Sequence, residues 1–451
     1  MDIISLLRPY KENDLIEVSE ITQIRRNMQY YQNYISKFQK RAEICSYLCA
    51  VGLALFALIT IVAPAHKIGS SLFTILIISP VVLLQPASFY QLFRGSSLFK
   101  WVLVLLGYIF VSVLWGESVS DTGDVFGYFR RVCYVVFFIL AYHQAAPVFG
   151  QYRRLAYGLL IIACIGISHD IIQFLIDFQP QARLDHYFSF IHANHSVRVY
   201  GLAAFFMLLL HMRDKSIGLA GLDMSLLVIC FTAVLLTSSR GGILGVLIML
   251  AMYILLMRDK RVIVPILALM VAFGCYFWLS SYAETSFAGE EKRILTSAEG
   301  LVDRKDSGRI AFWQQLLGRM HANEYIFGKG LLANDACLYN PLGFPHSHSV
   351  YLAAFFHGGF FGLFLLISVS IKTLVQAGLE LKHHQIKILL LLGLGGLPLC
   401  VDGRGVVDVV YKFSPDVLIF WIPVGMAIHN EFTRKETLKT LISQLRDLKT
   451  R

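Results

Sequence analysis

Charge is what this chain of 451 residues has least of. Asp, Glu, Lys and Arg together make 16% of it, against about a quarter in ordinary soluble domains. Apolar residues fill 56%, a surplus that calls for an apolar solvent, and the spacing of the runs makes that solvent a bilayer. A cleavable secretory leader is missing too: the first forty residues are polar, and the first long apolar run starts near Ile44. That run therefore reads as a retained first helix. Disulfide and zinc spacings are also absent. Cys45, Cys49, Cys133, Cys164, Cys230, Cys275 and Cys400 lie in or beside apolar runs, and only Cys337 falls in a long polar loop, so the thiols read as small buried hydrophobes. No internal repeat stands out, which leaves inverted-repeat transporter architecture without support.

What is there is a series of apolar runs, at roughly 44–63, 71–90, 99–116, 126–145, 155–176, 199–212, 218–236, 241–257, 262–280, 348–371, 386–401 and 414–430. A crossing needs about 20 residues, so the shorter runs must borrow flanking ones. The expected fold class is all-α: a polytopic transmembrane helical bundle with about 12 TM helices and one long periplasmic loop containing short helices. Its divisions are a cytoplasmic N-terminal tail (1–43), transmembrane helices 1–9 (44–280), the long periplasmic loop (281–347), transmembrane helices 10–12 (348–430) and a cytoplasmic C-terminal tail (431–451). The N-terminal tail mixes Leu6, Leu7, Ile16, Ile21 and Ile24 with scattered charge, which fits an amphipathic surface helix and a solvated tail equally.

The net charge of +10 suggests nucleic acid only until its placement is considered. With the N-terminus cytoplasmic, the two tails and the five inside loops hold 25 of the 40 Lys and Arg residues. Inside loops are short and basic, as in His211-Met212-Arg213-Asp214-Lys215 and Met257-Arg258-Asp259-Lys260-Arg261, whereas the short outside loop after the third run carries Glu117, Asp121 and Asp124. That asymmetry orients the chain with both termini in the cytoplasm.

Orientation isolates the cations that it does not explain. Arg130 and Arg131 stand in the first turns of the fourth run, Arg198 opens the sixth, Arg240 opens the eighth after Thr237-Ser238-Ser239, and Arg309 lies in the long loop in Ser307-Gly308-Arg309. All fall on the outer side. Any one of them could be a snorkelling anchor, yet guanidinium is also the group best suited to phosphate, which it holds by bidentate forks at any relevant pH. Arg240 further begins a helix beside two serines and two glycines, an arrangement that receives an anion. A second cluster, Pro345-His346-Ser347-His348-Ser349, closes the long loop and leads into His357-Gly358-Gly359-Phe360-Phe361-Gly362. No matching Cys, Asp or Glu cluster accompanies the histidines, which argues against a metal.

These residues resemble a known family, the O-antigen ligases, within the ligase and polymerase superfamily of bacterial surface polysaccharides. The pattern of His, then Asn, Ser or Gln, nine residues, Gly, two residues and Gly is met by His348, Ser349, Gly359 and Gly362. Ser239-Arg240-Gly241-Gly242 at a helix start, and Ser307-Gly308-Arg309 with Trp313 and Gly328-Lys329-Gly330, complete the likeness. The resemblance implies a metal-independent, inverting glycosyltransferase of lipopolysaccharide biosynthesis, with no cofactor. It would move O-antigen from undecaprenyl diphosphate to a lipid A–core acceptor at the periplasmic face of the inner membrane. Arg240, with Arg309 or Arg198, would stabilise the leaving diphosphate, with Arg130, Arg131 and His346 as further donor-site groups. His348 would act as base toward the acceptor hydroxyl or bind the diphosphate, and the residues leave both roles open.

Three rivals share parts of this pattern. An O-antigen polymerase would use the same donor, and Arg319 to Gly330 fits one spacing found in such enzymes. A protein O-oligosaccharyltransferase shares the histidine motif. A transporter of anionic lipid would place its charges at mid-membrane depth, where the apolar runs here have almost none.

Overall fold

The computed structural model describes residues 18–62, 73–115, 122–149, 153–177, 196, 199–204, 217–237, 309–330, 350–379 and 415–449, with isolated positions at 184, 207–208, 243, 246–247, 250, 267 and 271. Among these every regular element is helical. The elements are α1 (Val18–Val62), α2 (Ser79–Leu84, preceded by a π-helical turn, Thr74–Ile78), α3 (Ser88–Gly95), α4 (Ser97–Val111, continued by a 3₁₀ turn, Ser112–Trp115), α5 (Thr122–Phe149), α6 (Arg153–Ile176), α7 (Ile217–Leu236), α8 (Arg309–Gly318), α9 (Ala322–Phe327), α10 (Val350–Leu379) and α11 (Pro415–Lys449).

Five stretches among the described residues are long and apolar enough to cross a membrane: Gln39–Ile59, Ser97–Trp115, Val125–Val148, Tyr157–Ile176 and Tyr351–Gln376. The expected runs at 44–63, 99–116, 126–145, 155–176 and 348–371 coincide with them. The run at 71–90 departs from a single straight crossing. Its two pieces, Thr74–Leu84 and Ser88–Gly95, meet at 81°, because Pro86 bars the helical conformation for the residue before it and Gln85 takes φ −138°, ψ 55°. Of the remaining expected runs, 386–401 lies outside the described residues, and 199–212, 241–257 and 262–280 are described only in part. Residues 18–43 continue α1, and 431–449 continue α11, without a break in the helix.

Connectivity gives the bundle two ends. The α4–α5 connection defines the upper end; three residues separate the end of α5, at the lower end, from the start of α6, which so returns upward. α7 runs beside α6 in the same direction, with Cys164 Sγ 3.7 Å from Cys230 Sγ and Leu184 N–H donating to Leu236 O at 3.1 Å. These thiols, like Cys45 and Cys49, are buried and form no disulfide, in keeping with their apolar setting. α1 packs on α5 and α6, α11 on α5, and α10 against both α4 and α11.

The lower end is tied by one carboxylate. Glu431 of α11, 2% exposed, accepts from Ser96 Oγ (2.7 Å), Ser97 N (3.0 Å), Ser97 Oγ (2.9 Å), Leu98 N (3.1 Å) and Lys435 Nζ (2.7 Å). It thereby takes up the free amides at the start of α4, where the helix dipole also favours a negative charge. Burial alone would raise its pKa, but these donors hold it at about 2.

Candidate functional site at the upper end

α10 is two helical arms, 350–358 and 360–379, joined at Gly359 with φ 60° and ψ −159°. A break inside a helix strands the last carbonyls of the first arm, since the amides four residues on have turned away. Each of three such carbonyls has an outside donor here. Lys329 N–H reaches Phe356 O at 2.8 Å, Gly330 N–H reaches His357 O at 3.0 Å, and the Tyr108 hydroxyl donates to Gly358 O at 2.8 Å, with Phe327 O a longer acceptor at 3.2 Å. The segment Gly328-Lys329-Gly330 is thus pinned across the joint, and Tyr108 of α4 closes it from the other side.

Two glycines make that approach possible. Gly328 has φ 79°, ψ 173°, and Gly359 shares the same backbone region, which only glycine occupies without strain. A Cβ on Gly328 would collide with the His357 carbonyl and Gly358 N, and one on Gly359 with the Ile326 carbonyl and Gly328 N. Gly362 lies one turn further, where a Cβ would meet Ala354 O at 2.9 Å. Both glycines of the histidine motif therefore serve the joint.

α8 and α9 reach the joint from within the segment expected as the long loop, and short helices were expected there. Trp313, Leu316, Leu317 and Met320 pack on Leu352, Phe355 and Phe356 of the first arm of α10. α9 is closed at its start by Glu324 Oε2 accepting from His321 N at 2.6 Å, and at its end by Gly328 N–H donating to Glu324 O at 2.7 Å. Glu324 also faces Lys329 Nζ at 3.4 Å. Lys329 is 5% exposed, so the cation of the pinned segment is held inside with a carboxylate beside it.

The expected site residues divide accordingly. Arg309 is the first residue of α8, whose apolar face rests on the arm that starts two residues after His348. Arg130 and Arg131 lie in the first turns of α5, exposed and half-buried respectively. The neighbouring Phe129 contacts Phe110 at 5.5 Å between ring centres, which puts both arginines at the end that holds Tyr108. Arg198, Arg240, His346 and His348 lie outside the described residues. Their flanks are described. Arg240 follows the last turn of α7 by four residues, and that turn is capped by Thr237 Oγ1 donating to Val234 O at 2.7 Å.

One residue of this end escaped the sequence reading. Asp170, 1% exposed on α6, accepts from the Tyr200 hydroxyl at 2.9 Å. Tyr200 comes two residues after Arg198, so a buried carboxylate ties the segment bearing that arginine to α6. The available signal was a single acid inside an apolar helix, a placement that costs about 2.5–3.5 kcal/mol on insertion scales and marks function more often than packing.

With this geometry in place, the comparisons can be set beside it. Residues 225–367 match the family model described as O-antigen ligase. The matched stretch takes in most of α7, all of α8 and α9, the pinned segment and the joint of α10. The resemblance carried by the short motifs is borne out by this match, and with it a general O-antigen ligase or polymerase type of function. No curated protein matches the chain.

Proposed function

We propose, taking the O-antigen ligase match as premise, that this chain is an inverting glycosyltransferase of the inner membrane. It moves O-antigen from undecaprenyl diphosphate to lipid A–core at the periplasmic face. The observation that carries the proposal is the glycine-locked joint of α10 inside the matched stretch. It pins the segment that follows α8 and α9 against the arm on which α8 packs, which supports Arg309 and His348 as members of one site.

In the transfer, the acceptor oxygen forms its bond to the anomeric carbon from the face opposite the diphosphate. The bond from that carbon to the phosphate oxygen breaks, and its electron pair leaves on the diphosphate. Arg240 and Arg309, with Arg198, meet the charge that builds there; a preorganised donor of this kind is worth about 10²–10³ in rate. Arg130, Arg131 and His346 add positive potential or hydrogen bonds for the donor. His348 takes the hydroxyl proton, and neutral imidazole suits that role near pH 7. Guanidinium groups do here what a divalent cation does in other diphosphate-dependent transferases, so no metal is required.

Deleting the gene and resolving lipopolysaccharide on a gel tests the proposal. Loss of a ligase leaves bare core and accumulates full-length lipid-linked polymer. Core carrying one repeat unit would instead identify a polymerase, and an unchanged ladder would overturn both.

A further inference from the structure

Cations at the lower end fall into two groups. Lys435 Nζ lies 2.7 Å from Glu431 Oε1 and Lys439 Nζ 2.6 Å from Glu436 Oε1, while Arg434 donates to Gln376 Oε1 at 3.2 Å. Arg94 of α3, Lys100 in the first turn of α4 and Lys372 of α10 have no carboxylate within 4.0 Å among the described residues. Each stands instead over an aromatic ring. The Arg94 guanidinium lies 4.6 Å from the centre of the Tyr90 ring, Lys100 Nζ 5.4 Å from that of Phe93, and Lys372 Nζ 5.2 Å from that of Trp101. A ring face steadies a cation through its quadrupole yet takes up little of its hydrogen-bonding capacity, which stays available to an anion.

The bend at Gln85–Pro86 brings these cations onto one surface. α3, at 81° to the helix before it, is carried across the lower end. Its last residue, Gly95, sits so close to α11 that a Cβ there would collide with the Phe432 ring. Over eight residues, about 12 Å, α3 buries Leu92 and leaves Tyr90, Phe93 and Arg94 exposed. An aromatic face with a basic edge is the composition of a helix that lies in a bilayer interface. α4 follows directly and packs on α10, so the ring contacts run without a gap from Arg94 on α3, through Lys100 and Trp101 on α4, to Lys372 on α10.

We infer that this surface binds the headgroup of an anionic phospholipid in the leaflet at the lower end, the cytoplasmic one by the orientation that the loop charges give. The lipid phosphate accepts from the N–H groups that the rings leave free, and Tyr90 and Trp101 are of the types that favour headgroup level. A zwitterionic headgroup brings its own ammonium, which three unmatched cations repel; an anionic one does not. Gly359 and Lys372 are separated by about 20 Å of helix, so the surface lies apart from the joint and takes no part in the transfer chemistry.

The test is native mass spectrometry of the intact protein from mixed micelles holding phosphatidylglycerol and phosphatidylcholine in equal amounts. Wild type is expected to retain phosphatidylglycerol at least about tenfold over phosphatidylcholine. Arg94→Gln, Lys100→Gln and Lys372→Gln combined should bring the two lipids to within about twofold of each other. Lys37→Gln, Lys40→Gln and Arg41→Gln combined remove the same charge from exposed positions of α1 and should leave the wild-type preference in place. An unaltered preference in the first variant would overturn the inference. So would an equal fall in the second, which marks attraction to overall charge and not to this surface. Fluorescence of the wild-type fold gives an independent readout. In nanodiscs of the same two lipids, phosphatidylglycerol brominated in its acyl chains should quench the Trp101 emission, taken as wild type minus Trp101→Phe, more than brominated phosphatidylcholine does. Equal quenching by the two lipids would overturn the inference as well.

Discussion

Gly328 and Gly359 pack backbone against backbone, and each occupies a conformation that no side chain tolerates without strain. Gly359→Ala or Gly328→Ala must therefore absorb a strained φ, at about 1–3 kcal/mol, and a main-chain collision in addition. Either substitution is expected to lower the yield of folded protein sharply and to abolish transfer. Gly318→Ala, where a Cβ would meet open space, should do neither. Detergent-solubilised yield and melting temperature compared across the three variants check this.

Tyr108 supplies the donor for a carbonyl that the helix break exposes. In Tyr108→Phe the Gly358 carbonyl loses that partner at a half-buried position, a loss of about 1–2 kcal/mol. A lower melting temperature with the fold retained is expected, together with slower transfer. An unchanged melting temperature would show that Gly358 O finds another donor.

Glu431 makes stability depend on acidity at the opposite end. Its folded-state value of about 2 lies below the ordinary 4.5, so its contribution is complete above pH 4.5 and is lost as pH falls toward 2. The shift corresponds to roughly 3 kcal/mol. Wild-type melting temperature should fall over that window, and Glu431→Gln should start lower and vary less there. Measuring both from pH 2.5 to 6 decides it.

Asp170 and Tyr200 should behave as a coupled pair. A hydrogen bond to a buried carboxylate contributes about 1.5–3 kcal/mol, so the effects of Tyr200→Phe and Asp170→Ala on stability should fall short of additive in the double variant. Additive losses would show that the pair is not energetically linked. Transfer should weaken in both single variants, because the segment after Arg198 loses its tie to α6.

Much of the bundle was legible in the sequence because apolar run length is a one-dimensional signal. Ser97–Trp115 and Tyr157–Ile176 sit within two residues of the runs that announce them. The bend at Gln85–Pro86 was written in the proline, but hydropathy averages across it. The break at Gly359 had no such mark, since a helix in an apolar setting accepts glycine and only contact with Gly328, thirty-one positions earlier, turns this one into a joint. Glu431 reads as an ordinary charge in a polar tail until α11 brings it to Ser96. The outer arginines were picked out because orientation rules leave them unexplained, whereas Asp170 draws its meaning from Tyr200 on another helix. His357 was visible as a residue, but the partner of its ring, the Gly330 carbonyl 3.0 Å from Nδ1, is supplied by pairing across the joint.

Transfer by purified protein in liposomes tests the central claim most directly. Donor and acceptor are polyprenyl-diphosphate-linked glycan and lipid A–core, EDTA is present, and wild type is compared with Arg240→Ala and His348→Ala. The account predicts extended lipid A–core and released polyprenyl diphosphate in equal amounts from the wild type without divalent cation, with losses of about 10²-fold or more in each variant. Wild-type transfer that stops in EDTA and returns with magnesium, or either variant matching the wild type, would contradict it.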